Sequence, residues 1–381
     1  MDIKYIGFYD IENSVSDRVS NMAAIKKMDY ITNSLIKIGF NVEIISPSWM
    51  GPDSKVKIEK KQVTKKNENC RVTRCFSWYT KSKISEKIKI IYSLTWLFLY
   101  LLLNVKKGES IFVYHVEWLS YPIRMAKFIK KFELILEVEE VYSKVWKKSK
   151  FLEQMEDKLI KSGDKYLFVS DDLRKTFDIE DEKCIVLYGA YNLFEFEYIP
   201  TSNKNNIDLI YAGSIDQTKG GAFKSLDIIQ GLPTNYKLHI LGSGNQKNIK
   251  KLIEKIDKIN KSKNEESCYY AGVLHGSSFN NYLMKCDIAL NPQHAGEYMG
   301  TAFPSKIISY LSHNLHVVST PIKSIKSSKI KDYINFADDD QTTSFIKAIE
   351  DINLSEENQA MNIIKKLDEN FLRDLDNLLK L

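Results

Sequence analysis

Two rhythms alternate along this chain. Short runs rich in Ile, Val, Tyr and Phe recur, and between them lie longer stretches in which apolar residues return every third or fourth position. The first run, Lys4–Tyr9, reads as a strand, and Met22–Lys37 follows it with Met22, Ile25, Met28, Ile31 and Leu35 on one helical face. Gly39 stops that helix, and Asn41–Ser46 is the second predicted strand. Ser54–Asn69 is polar and Lys-rich and reads as an exposed excursion. Further strands are predicted at Ser110–His115, Leu134–Val138, Tyr166–Ser170 and Cys184–Tyr188. A second series runs through Leu209–Ala212, Lys237–Leu241, Ser267–Ala271, Asp287–Asn291 and His316–Ser319, and the end of the chain, Ser355 to Leu381, has helical spacing.

Strands alternating with helices predict an α/β protein with parallel sheets. Pro200 to Asn206, polar and rich in turn formers, is the best linker. The expected organisation is a doubly wound domain over 1–200, a second over 201–360, and a terminal helix over 361–381. Ligands of such sheets bind at the carboxyl ends of the strands, and two such domains imply a cleft.

Composition agrees with two domains: 381 residues, 44% of them hydrophobic, suffice for two cores. Charge is uneven. Residues 1–192 hold 33 Lys+Arg against 26 Asp+Glu, a net of +7, whereas the whole chain carries +6, leaving −1 for the remainder. A basic first half points to an anionic surface or a phosphate-bearing partner. No zinc, homeodomain or RNP-like pattern supports nucleic acid. The five cysteines, Cys70, Cys75, Cys184, Cys268 and Cys286, are odd in number and form no C-x-x-C, which supports neither a disulfide framework nor a zinc site. The first residues run straight into a strand pattern without a signal-peptide apolar region, so the expected location is cytoplasmic. Ile90 to Val105 is strongly apolar with lysines at both ends. It falls short of the ~20 apolar residues of a spanning helix. It reads as a buried or surface helix, or as an interfacial membrane contact beside lysines that suit anionic headgroups.

Four segments of the second half carry candidate chemistry. Tyr211–Gly221 ends a strand at Gly213 and opens a loop containing Ser214, Lys219 and Gly220. Leu238–Leu252 contains Gly242 and Gly244, which permit a tight turn. No G-x-G-x-x-G follows the first strand, which disfavours a nicotinamide dehydrogenase. Tyr269–Gln293 contains Gly272, Val273, Leu274, the loop residue His275, and Asp287 at a strand start. In Ala302–Thr320, Pro304, Ser305 and Lys306 open a helix, so unpaired N–H groups, a positive dipole end and a lysine together suit a phosphate.

In order and spacing these four segments resemble the C-terminal domain of GT-B glycosyltransferases, particularly family 4 enzymes of bacterial surface polysaccharide assembly. The resemblance implies two Rossmann-like domains, with the last helix crossing back onto the first. It implies a nucleotide-diphosphate sugar donor, with UDP expected, and transfer of a hexose to a lipid-linked or oligosaccharide acceptor at the inner membrane face. It implies retention of configuration and no metal, and no D-x-D stands at a strand end. It places the diphosphate near Gly213, Lys219, Gly220, Gly242, Pro304, Ser305 and Lys306, and the nucleobase near Gly272, Val273 and Leu274. The chain departs from the pattern: Ser214 stands where relatives carry an Arg, and Thr301 and Ser309 stand where they carry two Glu. Ser309 is the remaining candidate for the ribose, and Glu297 for the donor sugar.

The first half says less. The loop after the first strand offers Glu12, Asn13, Asp17 and Arg18 to an acceptor, or to solvent. His115 and Glu139 follow strands and are candidate acid/base groups. Lys219 and Lys306 are the candidates for stabilising leaving-group charge. Asp338, Asp339 and Asp340 read as a helix N-cap. Two rival readings share the fold: a nucleotide-sugar 2-epimerase, and a non-catalytic subunit that binds a glycan or partner.

Overall fold

The Asn21 side chain starts the helix Met22–Lys37 by accepting the Ala23 N–H at 2.9 Å. Met28, Ile31 and Leu35 bury its apolar face, and Gly39, at φ +98°, ends it in the left-handed region. The structure, a computed structural model, describes residues 2–11, 14, 16–143, 149–193, 205–217, 220–294, 302–355 and 358–380. It divides into one unit of 1–190 with 369–381, and another of 191–368. The sequence expectation set the break at 200. Most of the expected linker, within residues 194–204, lies outside the described residues.

The first unit contains β1 (Asp2–Ile6), β2 (Asn41–Ser46), β3 (Ile58–Glu59), β4 (Gln62–Asn67), β5 (Cys70–Arg74), β6 (Ser77–Trp78), β7 (Ser110–Tyr114), β8 (Glu133–Val138), β9 (Lys165–Phe168) and β10 (Cys184–Val186). Its main sheet runs β10-β9-β8-β7-β1-β2-β5-β4. All neighbours are parallel except β4, which turns back on β5. Ser54–Asn69 is exposed over most of its length, as expected, but contains β3 and β4. Its polar β4 is an edge strand, where exposed lysines are the usual composition, so a period-two apolar pattern never appeared. Of the apolar run Ile90–Val105, all but Val105, the C-cap, lies within the helix Lys83–Asn104, started by the Ser82 side chain.

The second unit contains β11 (Ile207–Ala212), β12 (Tyr236–Leu241), β13 (Cys268–Tyr270), β14 (Ile288–Asn291), β15 (His316–Ser319) and β16 (Ile334–Phe336), in the order β13-β12-β11-β14-β15-β16. Every pairing is parallel. β16 was too short to read from sequence. Tyr211, Leu226, Leu238, Ile240, Leu290 and Phe345 are buried in its core, where each aliphatic side chain contributes about 1.5–3 kcal/mol. The helix Ala360–Lys380 divides between the units at Asp368, and beyond it Phe371 lies 5.4 Å from the Tyr30 ring.

Candidate donor site

The order of the second sheet changes direction between β11 and β14, and ligands of doubly wound sheets bind at such a point. Three glycine-bearing ends stand side by side there. Gly213 N–H donates to the Leu241 carbonyl at 3.0 Å, and Gly242 N–H to the Gly272 carbonyl at 2.8 Å. Ile215 N–H reaches the Ser243 carbonyl at 2.8 Å. The ladder thus continues past β11, β12 and β13. Gly242 sits at φ +139°, and a Cβ there would lie 1.7 Å from the Gly213 carbonyl oxygen. No other residue fits. Beyond Gly272 the backbone is irregular, Val273 is exposed, and Leu274 is half-buried.

Two tyrosines build the floor. The Tyr310 hydroxyl accepts the Ala212 N–H at 2.8 Å and donates to the Ala212 carbonyl at 3.3 Å, tying the helix Lys306–Leu311 to the end of β11. Tyr211 donates to the Ser214 carbonyl at 3.0 Å. Burial pushes both phenols well above their ordinary pKa, so they stay neutral donors. Lys306 Nζ lies 4.1 Å from the centre of the Tyr211 ring and 3.5 Å from where a Cβ on Gly213 would sit. Gly213 and Lys306 therefore stand together, with Tyr211 between strand and lysine. The Ser214 hydroxyl donates to Asp216 Oδ2 at 2.7 Å.

The helix after Pro304 and Ser305 differs from the expectation. It has six residues. Its first N–H groups are partly engaged already, Ile307 with the Pro304 carbonyl at 3.0 Å and Ile308 with the Ser305 carbonyl at 3.1 Å. So short a helix has a weak macrodipole, and the lysine, more than the helix end, is the anion-attracting feature. Ser309 is half-buried, and its carbonyl accepts from His313 Nδ1 at 2.7 Å.

A second cation stands nearby that sequence reasoning missed. Lys224 lies in the first turn of the helix Gly221–Gly231 and is buried. Its Nζ has no hydrogen-bond partner among the described residues. It is 5.4 Å from the centre of the Phe345 ring and 3.9 Å from Asp340 Oδ2. Burial, opposed by Asp340, lowers its pKa. Asp340 Oδ2 also stands 3.5 Å from His294 Nδ1, while His294 Nε2 would be 2.7 Å from a Cβ on Gly220, the φ +67° residue before the helix. The only sequence signal was a lysine within the apolar run Ala222–Ile229. Asp340 is thus no N-cap. Gln341 occupies that position, and Asp339 accepts its N–H at 2.9 Å.

The first-unit candidates fare unevenly. His115 is fully buried, stacked on Tyr142 with Nε2 3.5 Å from Glu156, so it is a packed histidine and not an accessible base. Arg18 is a structural pin and not an acceptor contact. Its guanidinium donates to Glu59 at 2.8 Å, to the Cys75 carbonyl at 2.7 Å and to the Ser48 carbonyl. Asp17 is exposed, with φ 42°. Glu139 is ion-paired with Lys27. The perturbed carboxyl is its neighbour Glu137, which accepts from the Tyr5 hydroxyl. Burial, reinforced by the Glu139 charge, raises Glu137 to about 8. Glu12, Asn13, Lys219, Glu297 and Thr301 lie outside the described residues. Among the described residues, no three His, Cys, Asp or Glu side chains converge as a metal site.

Residues 206–353 match the family model for glycosyl transferases group 1. No curated protein matches. Among solved structures, the chain is similar to an E. coli trehalose-6-phosphate protein bound with UDP-2-fluoro glucose, at 10% identity and TM-score 0.68, covering 99% of each chain. It is similar to HepE of Anabaena in complex with UDP and glucose, at 12% identity and TM-score 0.63, covering 100% of this chain and 98% of that one. The lipopolysaccharide outer core galactosyltransferase WaaB matches at 14% identity and TM-score 0.61, covering both chains fully. The fold is GT-B, with two Rossmann-like domains.

Proposed function

We propose that this protein is a glycosyltransferase that moves a hexose from a nucleotide-diphosphate sugar, with UDP as the nucleotide, in the manner of family 4 enzymes. The observation that carries this reading is Lys306 Nζ held over Tyr211 beside Gly213, at the switch point of a sheet within the segment matching group 1 glycosyl transferases. The glycine ends let a diphosphate approach the backbone, and Lys306 offsets its charge. Lys224 adds to this. A buried cation in the first turn of a helix is disfavoured both by desolvation and by the positive dipole end, and Asp340 at 3.9 Å compensates only in part. A diphosphate supplies the remaining charge. The open backbone at Gly272–Leu274 suits the nucleobase.

In the proposed reaction the sugar C1–O bond to the diphosphate breaks and a bond from C1 to the acceptor hydroxyl oxygen forms on the same face. The acceptor proton passes to the departing diphosphate. The protein stabilises the charge that develops there, and no metal is required. The acceptor is a lipid-linked or oligosaccharide chain, as in surface polysaccharide assembly, met at a membrane surface by the basic first half.

The test is a panel of UDP-, GDP- and CMP-sugars without added metal, read by thermal shift and by hydrolysis. Stabilisation and slow hydrolysis with one UDP-sugar supports the reading. A folded sample silent to the whole panel overturns it and favours a glycan- or partner-binding role.

A further inference from the structure

The helix Lys83–Asn104 is inverted relative to an ordinary surface helix. Its buried line is Lys89, Ser93, Leu97 and Leu101. Lys89 is 3% exposed and donates to the Met50 carbonyl at 2.7 Å, and Ser93 donates to the Pro47 carbonyl. The opposite line, Ile84, Ile88, Ile91, Leu99 and Leu103, faces outward, with Ile84 73% and Leu103 83% exposed. A helix that packs on a sheet in water does the reverse. The helix Ser120–Lys130 packs beside it, and Lys130 Nζ donates to the Leu102 carbonyl at 2.8 Å, which joins their C-terminal ends. It too is apolar outward, with Tyr121, Met125, Ile129 and Phe128, the last 81% exposed. Contiguous apolar surface of this kind marks an interaction site.

The rim of this face is cationic. Lys81, Lys83 and Lys87 are exposed at one end, and Lys106, Lys107 and Lys131 at the other. Glu86 is the single acidic residue in the two helices.

We propose that this two-helix face docks on an anionic lipid bilayer, lying in the headgroup plane with Leu103 and Phe128 entering the acyl boundary. An apolar face bordered by lysines is the pattern of an interfacial helix. Lysines beside an anionic surface add electrostatic attraction that salt screens. Among the described residues no helix is long and apolar enough to cross a membrane, so the helix lies on the bilayer and does not span it. A second copy fits less well, because a two-fold pairing of this face sets one lysine rim against another. The proposal identifies where the membrane contact of the transfer reading is made, yet needs only this face.

The experiment is co-sedimentation of the full chain with vesicles of phosphatidylglycerol and phosphatidylcholine in equal parts, and with phosphatidylcholine alone, at low and high salt. The wild type is compared with a Leu103→Asp, Phe128→Asp double variant and a Lys81→Glu, Lys83→Glu, Lys87→Glu triple variant. The expected result is binding to the anionic vesicles only, weakened by salt. Partitioning falls roughly tenfold or more in the apolar double variant and clearly in the lysine triple variant. Circular dichroism and the UDP-induced thermal shift stay unchanged in both, so failure here is separable from failure of the donor reading. Absence of binding by folded wild type overturns the proposal. Equal binding by the variants overturns it, as does a lipid-free dimer that the apolar variant dissociates.

Discussion

Lys306 Nζ stands 4.1 Å from the centre of the Tyr211 ring, at the end of the strand where the second sheet reverses its order. A cation–π contact of this kind is worth about 0.5–2 kcal/mol. It holds the ammonium beside Gly213, 3.5 Å from where a Cβ on that residue would sit, so only glycine leaves room for the lysine and the Tyr211 hydroxyl together. Lys306→Ala is expected to weaken UDP binding by roughly tenfold or more, as loss of a charge-assisted hydrogen bond implies. The thermal midpoint should move little. Titration calorimetry with UDP decides this, and an unchanged affinity would remove Lys306 from the donor site.

Gly242→Ala should be severe. The new Cβ would overlap the Gly213 carbonyl, and the backbone sits at φ +139°. The loss should exceed about 1 kcal/mol, visible as a lower thermal midpoint. Because the strain falls on the loops that are to receive the diphosphate, UDP should protect the variant less than the wild type. A midpoint and UDP shift like the wild type's would show that the two loops separate easily.

Lys224→Met puts an unbranched apolar side chain where the ammonium lies over the Phe345 ring and removes the buried charge. Replacing a buried ion by an apolar residue of similar size is often neutral or stabilising. The expected result is an unchanged or higher melting temperature together with donor affinity reduced about tenfold, an increment of roughly 1.4 kcal/mol. A variant that is stable and binds the donor normally would make Lys224 a structural residue only.

Glu137 predicts a pH dependence in the first unit. Its folded pKa is raised to about 8 by burial and by Glu139, partly offset by Lys27 and the Tyr5 hydroxyl. The ordinary value is about 4.3. Between these values the native state holds a proton that the unfolded chain has released, so stability falls as pH rises through this window. The slope approaches about 1.4 kcal/mol per pH unit for a full proton difference. Glu137→Gln, neutral and similar in shape, should flatten the thermal midpoint between pH 5 and 8, approximately the window those two values define. A wild-type profile that the variant does not flatten would mean that Glu137 ionises freely.

Much of the fold was legible because period and capping are local. The apolar spacing from Met22 onward and Gly39 delimit Met22–Lys37 without help from elsewhere in the chain, and the structure adds the Asn21 cap. The β-branched run His316–Ser319 is a strand for the same reason. The candidate site was legible in part: Gly213 and Lys306 stand together, as the family resemblance implied. The edge strand β4 was not legible, since a polar exposed strand has no periodic apolar signal.

What the sequence by itself determined is the alternation of strand and helix, the glycines at the strand ends, and the uneven charge. The tertiary structure alone decided which charged groups lose water and to whom they turn. His115 ends a strand and looked available, but Tyr142 and Glu156 enclose it. Lys224 and Glu137 carry little local sign of burial, and both are buried. The apolar run Ile90–Val105 read as a buried, a surface or an interfacial helix, and the structure leaves Ile84, Ile88 and Ile91 of its helix outside. Desolvation depends on neighbours brought from far along the chain, and no local pattern encodes them.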